Sequence, residues 1–153
     1  RQTPAADLIG DLDFLSMQFS GFFETIYMCH VLEHFPLNSL ENILIKFRGL
    51  LKRSGFLYIS VPDFEKLSCL YLANKAPLAM IVRAIHGGQE YPENTHYISF
   101  DKQLLSQLLL HAGYRSIETY EPLSFLPKGI TDTSTYKIVG REISLNLRAL
   151  NEA

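Results

Sequence analysis

The stretch TIYMCHVLEHFP, residues Thr25–Pro36, decides the fold. Its first seven residues, Thr25–Val31, are almost all apolar, aromatic or β-branched, which is typical of a strand covered on both faces of a sheet. The motif His30-Val31-Leu32-Glu33-His34 carries the polar groups, and Pro36 biases the residue before it away from helical angles. The stretch therefore predicts a buried strand that ends in a polar loop.

One helix and a second buried strand follow. We expect Asn38 to cap the helix, whose apolar residues recur at helical spacing: Leu40, Ile43, Leu44, Phe47, Leu50 and Leu51. Gly55 is expected to supply the left-handed turn that ends the connection, before a strand over Phe56–Val61 that Pro62 closes. Strand, helix and strand form a βαβ unit with parallel strands, so the predicted fold class is α/β.

The remaining predicted elements are shorter or less regular. They are a strand over Ala6–Asp11, a loop over residues 12–21, helices that follow Asp63, Pro77 and Asp101, a polar loop over Gln89–Phe100, and strands over Ser116–Tyr120 and Glu142–Leu150. Gly87-Gly88 and Gly113 are expected to end the last two helices. An irregular stretch, residues 122–135, joins the two final strands.

Composition narrows the classes of function. With 153 residues, 47% of them hydrophobic, the chain is expected to form one domain over residues 1–153. A net charge of −2 without a basic block argues against nucleic acid as a partner. The sequence also lacks the run of about 18 apolar residues that would predict a membrane span. Cys29 and Cys69 are too few for a disulfide framework, which favours buried, reduced thiols in the cytoplasm.

Ligands of open parallel sheets bind beyond the carboxyl ends of the strands. The segments expected there are Asp11, Cys29–His34 and Ser60–Asp63. One alternative is a zinc hydrolase, because His30-Val31-Leu32-Glu33-His34 also fits the H-x-x-E-H metalloprotease pattern. That pattern needs His30 and His34 on one uninterrupted helix, with a third ligand such as Glu65, Glu90 or Glu93.

Three segments, in this order and spacing, resemble the class I S-adenosylmethionine-dependent methyltransferases: Asp7–Leu12, Thr25–Phe35 and Leu50–Asp63. Residues 87–96, 100–101, 111–114 and 143–146 extend the resemblance to a bacterial subgroup of small methyltransferases often linked to surface-polysaccharide biosynthesis. The resemblance implies a Rossmann-like methyltransferase fold, in which a parallel sheet has an antiparallel C-terminal edge hairpin and helices on both faces.

The resemblance also implies S-adenosylmethionine as methyl donor and S-adenosylhomocysteine as product. Position by position, it places Asp11 and Leu12 near the adenine, and Cys29, His30 and Leu32 along the methionine portion of the cofactor. A small-molecule or sugar-containing acceptor would approach over a second set of residues: Glu33, His34, Pro62, Asp63, Gln89 and His96. His30, His34 and His96 are the candidate bases. This interpretation assigns no metal ligand and leaves a homo-oligomer open.

The sequence departs from the family pattern at its start. The family's first strand and Gly-rich loop, and the second strand with its ribose-binding acid, have no counterpart in the printed sequence. Glu24 replaces the usual Asp, and Arg53-Ser54-Gly55-Phe56 replaces the usual Pro-Gly-Gly. We expect that the missing strands precede Arg1, so that residues 1–153 are the C-terminal part of a methyltransferase domain. The alternative is a non-catalytic relative that serves as a binding module.

Overall fold

The computed structural model describes residues 10–152 of the chain. Within them lie five α-helices, which are α1 (Leu12–Gln18), α2 (Leu37–Leu50), α3 (Phe64–Leu72), α4 (Leu78–His86) and α5 (Lys102–His111). The strands of the same residues are β1 (Phe23–Cys29), β2 (Leu51–Pro62), β3 (Arg115–Thr119), β4 (Lys137–Ile138), β5 (Arg141–Glu142) and β6 (Ser144–Leu150). Single turns of 3-10 helix cover Leu32–His34, Pro92–Asn94 and Thr133–Thr135.

The main sheet confirms the α/β fold class. Its strand order is β1-β2-β6-β3. β1 and β2 are parallel, with Thr25 opposite Phe56 and Cys29 opposite Ser60, as the βαβ unit predicts. β6 is antiparallel to both β2 and β3, so the last two strands of the sheet form the predicted antiparallel pair. β4 and β5 form a separate two-stranded hairpin that the sequence did not predict.

The core lies on the face of the sheet that carries α2 and α5. Leu57 and Ile59 of β2 are fully buried there, together with Leu44 of α2 and Leu109 of α5. The alternate residues of β2 point to the opposite face, where Tyr58 stacks on the ring of Phe125 with 3.9 Å between ring centroids. Alternation along β2 therefore separates an aliphatic face from an aromatic one.

Two local predictions for the βαβ unit were wrong. α2 begins one residue before Asn38, with Pro36 at the N-cap position, and no side chain caps the helix. Gly55 is not the left-handed residue; Ser54 has that conformation, at φ 63°. Gly55 is needed for space instead, because a Cβ there would lie 3.0 Å from the carbonyl oxygens of Glu24 and Lys52.

The N-terminal predictions have a mixed outcome. The strand predicted over Ala6–Asp11 falls largely on residues 1–9, outside the described part of the chain. The loop predicted over residues 12–21 is wrong for its first part, which forms α1 because the Asp11 carboxylate accepts a hydrogen bond from the Phe14 N–H at 2.7 Å. Cys69 is exposed and Cys29 only partly buried, which corrects the expectation of two buried thiols.

The other helix boundaries follow their predicted signals. The Asp63 carboxylate caps α3, the Asp101 carboxylate caps α5, and Pro77 precedes α4. Gly113, at φ 92°, follows α5 as expected. Among residues 10–152, no helix combines the length and the hydropathy that crossing a membrane requires.

Backbone hydrogen bonds hold the segment after α4 against the end of β1. Gly87 ends α4 with φ 77°, a conformation that side chains with a Cβ rarely adopt. The His96 N–H then donates to the His86 carbonyl at 3.1 Å, and the Tyr97 N–H donates to the Glu33 carbonyl at 2.8 Å. Residues 87–97, which we call the α4 loop, therefore lie beside the 3-10 turn that follows β1.

Replacing Gly87 by Ala should destabilise the protein by at least about 1–2 kcal/mol, the cost of a left-handed residue with a Cβ. The added Cβ would also lie 2.3 Å from the Asn94 carbonyl oxygen. Urea unfolding of the full chain measures the effect. Gly49→Ala is the matched control, because it lies in helix α2 with no atom within 4 Å of the new Cβ, and it should be neutral or stabilising. Equal stability of the two variants would contradict the assigned role of Gly87.

Candidate functional site

The chain turns sharply as it leaves β1. The His30 N–H still pairs with the Ser60 carbonyl of β2 at 2.8 Å, but His30 itself has φ 51°. The 3-10 turn Leu32–His34 begins two residues later. His30 and His34 therefore do not share the uninterrupted helix that the H-x-x-E-H zinc motif requires.

Glu33 is the most unusual residue of this turn. Its side chain is fully buried, yet within residues 10–152 neither carboxylate oxygen has a hydrogen-bond partner. Among the described residues it has one ion-pair contact, with His30, whose Nδ1 lies 3.1 Å from Glu33 Oε1. This contact has the distance of a hydrogen bond but not its angle. A buried carboxylate in this state carries a large desolvation cost.

His34 and His96 lie beside Glu33, although they come from distant parts of the chain. Their rings are perpendicular, with 4.7 Å between centroids. One donor atom from each of Glu33, His34 and His96 lies within 4.8 Å of the other two. We call these three residues the Glu-His-His cluster. The sequence predicted each of them as a site residue and did not predict that they meet.

Backbone carbonyls fix the orientation of both rings. His34 Nδ1 lies 3.1 Å from the Thr95 carbonyl oxygen, and His96 Nδ1 lies 3.0 Å from the Ala84 carbonyl oxygen. A carbonyl oxygen only accepts, so Nδ1 carries the proton in both residues. Burial lowers the pKa of His96 below its ordinary value of 6.5, although the Glu33 carboxylate opposes this effect. With the proton on Nδ1, the lone pair of each neutral ring is on Nε2.

A cavity of about 390 Å³ opens next to the cluster. Two of the predicted histidines, His30 and His96, line it, and so does Pro62 at the end of β2. Met80 and Tyr136 also line it. The cavity is large enough for a small organic molecule.

Other predicted site residues have structural contacts. Asp63 is buried and accepts hydrogen bonds from the N–H groups of Glu65 and Lys66, as a helix cap does. Gln89 is exposed and donates from Nε2 to the His86 carbonyl. Leu32 is fully buried in the core. Asp11 and Leu12 lie at the start of α1, where Asp11 is exposed.

A second polar network at the end of β1 involves residues that the sequence did not single out. Tyr27 donates to Asp132 Oδ2 at 2.7 Å, and Cys29 Sγ lies 3.2 Å from Thr133 Oγ1. Burial raises the pKa of Tyr27 far above its ordinary value, so the phenol stays protonated. Burial opposes ionisation of Asp132 as well, but hydrogen bonds from Ser134 and Tyr27 hold its pKa below the usual range.

Ser144 connects this network to His30. Ser144 Oγ donates to the Thr133 carbonyl at 3.2 Å and therefore accepts from His30 Nε2, which lies 3.1 Å away. His30 consequently presents Nδ1, not Nε2, to Glu33. The only sequence signal for Thr133 was its place in the irregular stretch of residues 122–135, which is too common a pattern to indicate a site. Ser144 belongs to residues 143–146, which extend the family resemblance, but no role was predicted for it.

Comparisons with known proteins support the fold. No protein-family model matches the chain, and a search of curated proteins finds no match. A methyltransferase dependent on S-adenosylmethionine from Archaeoglobus fulgidus is similar in structure, with a TM-score of 0.55 and 16% identity over 94% of this chain and 66% of that one. Human N-acetylserotonin methyltransferase, solved in complex with S-adenosylmethionine, gives a TM-score of 0.51 and 13% identity over 85% of this chain and 30% of that one.

An O-methyltransferase family protein from Burkholderia thailandensis gives a TM-score of 0.53 and 12% identity over 94% of this chain and 33% of that one. The chain thus spans less than two thirds of the length of each of these structures. What all three share with it is the mixed sheet and its helices. The chain therefore has the fold of the class I S-adenosylmethionine-dependent methyltransferases.

Proposed function

We propose that the chain is the C-terminal part of a methyltransferase domain, which moves a methyl group from S-adenosylmethionine to a small or sugar-containing acceptor. The observation that carries the proposal is the shared fold with polar groups at the carboxyl ends of β1 and β2. Ligands of such sheets bind at this edge. The human enzyme named above was solved with S-adenosylmethionine bound, which supports the choice of cofactor.

The cofactor side of the proposed site is the end of β1. Cys29 and His30 lie there, and within residues 10–152 β1 pairs with a strand on one side only. The free edge of β1 is where the first strand of the family's sheet, with its Gly-rich loop, would pair. The same free edge supports the alternative of a binding module, because an unpaired edge also accepts a strand from another chain.

The acceptor side of the proposed site is the cavity lined by His30, Pro62 and His96. Methyl transfer is an in-line displacement, so the protein mainly aligns the acceptor and excludes water. An acceptor that must lose a proton needs a group to receive it. His30, His34 and His96 are the proposed bases, and both imidazoles of the Glu-His-His cluster have a free Nε2 for this purpose.

We also propose a cytoplasmic location and a small-molecule partner. The two cysteines are free thiols, which suits a reducing compartment. Surface-polysaccharide biosynthesis is the proposed context, and it rests on the sequence resemblance alone.

Cofactor binding is tested by calorimetry of the full-length native protein with S-adenosylmethionine and S-adenosylhomocysteine. Both should bind. Cys29→Phe should weaken the affinity by about 10-fold, because overpacking at the cofactor wall costs about 1–3 kcal/mol. Cys69→Phe is the matched control, since Cys69 is exposed on α3, and its affinity should be unchanged. Absence of binding by both ligands would exclude the proposed function.

A further inference from the structure

The Glu-His-His cluster has the chemistry of a metal site. Two imidazoles and one carboxylate are a donor set that Zn²⁺ and related divalent ions prefer. The donor atoms lie within 4.8 Å of one another, whereas ligands of one tetrahedral Zn²⁺ lie roughly 3.4 Å apart at bond lengths near 2.1 Å. Small side-chain movements therefore suffice to bring all three donors onto one ion.

The hydrogen bonds around the two imidazoles prepare them for a metal. Each Nδ1–H donates to a backbone carbonyl, of Thr95 for His34 and of Ala84 for His96. This is the outer contact that metal-binding histidines typically make, because it fixes the ring and leaves the Nε2 lone pair for the ion. Two independent carbonyls thus impose the same tautomer on two neighbouring rings.

The burial of Glu33 gives the second, independent observation. Its carboxyl group is fully buried, and within residues 10–152 neither oxygen has a hydrogen bond. No Lys or Arg of the described residues forms an ion pair with it, and its ion-pair contact is His30 Nδ1. A buried carboxyl group without hydrogen bonds is costly, and coordination of a metal ion is one way in which proteins offset that cost.

We propose that Glu33, His34 and His96 together bind one divalent transition-metal ion of the Zn²⁺ type. The ion supplies the positive charge that the buried carboxylate lacks and ties the α4 loop, through His96, to the turn after β1. The site differs from the H-x-x-E-H motif, because His30 is not one of its ligands. His30 instead hydrogen-bonds Ser144 and faces Glu33 from the side.

Three protein ligands leave one position of a tetrahedral ion open. His96 also lines the 390 Å³ cavity, so the open position is near the proposed acceptor pocket. We assign that position to an oxygen of the acceptor, which makes hydroxyl-bearing acceptors the favoured class. This part of the inference rests on the proposed function.

An ion held by these three residues would lower the pKa of an acceptor hydroxyl, whose proton would pass to water. The acceptor oxygen would then form the new C–O bond with the sulfonium methyl group while the C–S bond breaks. The electron pair of that bond stays on sulfur, which gives the methyl ether and S-adenosylhomocysteine. In this arrangement the metal replaces a histidine base.

The test begins with the full-length protein, freed of metal by a chelator and titrated with Co²⁺, a spectroscopic substitute for Zn²⁺. We expect one equivalent to bind, with a visible absorption band that Zn²⁺ abolishes. Glu33→Gln and His96→Gln should each weaken binding by at least about 10-fold, since loss of even an outer contact has an effect of that size. Glu41→Gln and His111→Gln, both at exposed positions, are the matched controls and should bind as the unmodified protein does.

A measurement on the unmodified protein guards against variants that fail to fold. In long-range ¹H–¹⁵N spectra, Zn²⁺ should shift the Nε2 signals of His34 and His96 and leave those of His86 and His111 in place. Lack of saturable binding, or equal affinity of the cluster variants and the controls, would overturn the metal site. So would unchanged His34 and His96 signals.

The open position has its own test. Azide, a small anion that ligates Co²⁺, should change the visible spectrum of the Co²⁺ form, and an unchanged spectrum would contradict an open position. Binding of S-adenosylmethionine in the presence of the chelator tests the proposed function separately. Cofactor binding without metal binding would overturn the metal site alone, and metal binding without cofactor binding would overturn the proposed function alone.

Discussion

The parallel pairing of β1 with β2 is the contact on which the rest of the site depends. It continues one residue past β1, where the His30 N–H still bonds the Ser60 carbonyl, and this bond brings the two strand ends to one edge of the sheet. The left-handed conformation of His30 then redirects the chain. Because the turn begins at this fixed point, Glu33 is directed into the protein instead of toward solvent. The Tyr97 bond to the Glu33 carbonyl adds the α4 loop to the same edge.

The fold was predictable where the apolar pattern and the helix-capping residues indicate the same elements. The strands β1 and β2 and the helix between them were predicted from continuous and periodic apolar residues, and Asp63 and Asp101 were recognised as caps. The expectation that β1 is covered on both faces was wrong within the described residues, because Met28 alone is buried in it and Glu24 and Thr25 are exposed. Helix α1 was missed because its seven residues are too few for a helical period to be recognised in the sequence. The role of Gly55 was misassigned because sequence does not distinguish a glycine needed for its backbone angle from one needed for space.

The site was predictable as a set of residues and not as an arrangement. Glu33 and His34 are neighbours in sequence, and their position just after a predicted strand placed them in the crevice at the carboxyl ends of the strands. His96 meets them only because Gly87 turns the chain and two backbone hydrogen bonds fix the α4 loop. The sequence indicates the glycine that ends the helix, but it does not indicate the hydrogen bonds. Thr133 and Ser144 reach His30 through tertiary contacts alone. Tautomers likewise depend on carbonyl groups of distant residues, which a sequence does not specify.

The position of β6 has a consequence for how the chain acquires its structure. β6 comes last in sequence but lies between β2 and β3, so the sheet cannot join these two strands until Ser144–Leu150 has been synthesised. The Asn151 side-chain amide, which donates to the carbonyls of Leu51 and Lys52, arrives equally late. Pairings between segments so distant in sequence form slowly. During synthesis, residues of β1, α2 and β2 therefore form an incomplete layer in which one edge of β2 is unpaired, and an unpaired strand edge makes the nascent chain prone to aggregation.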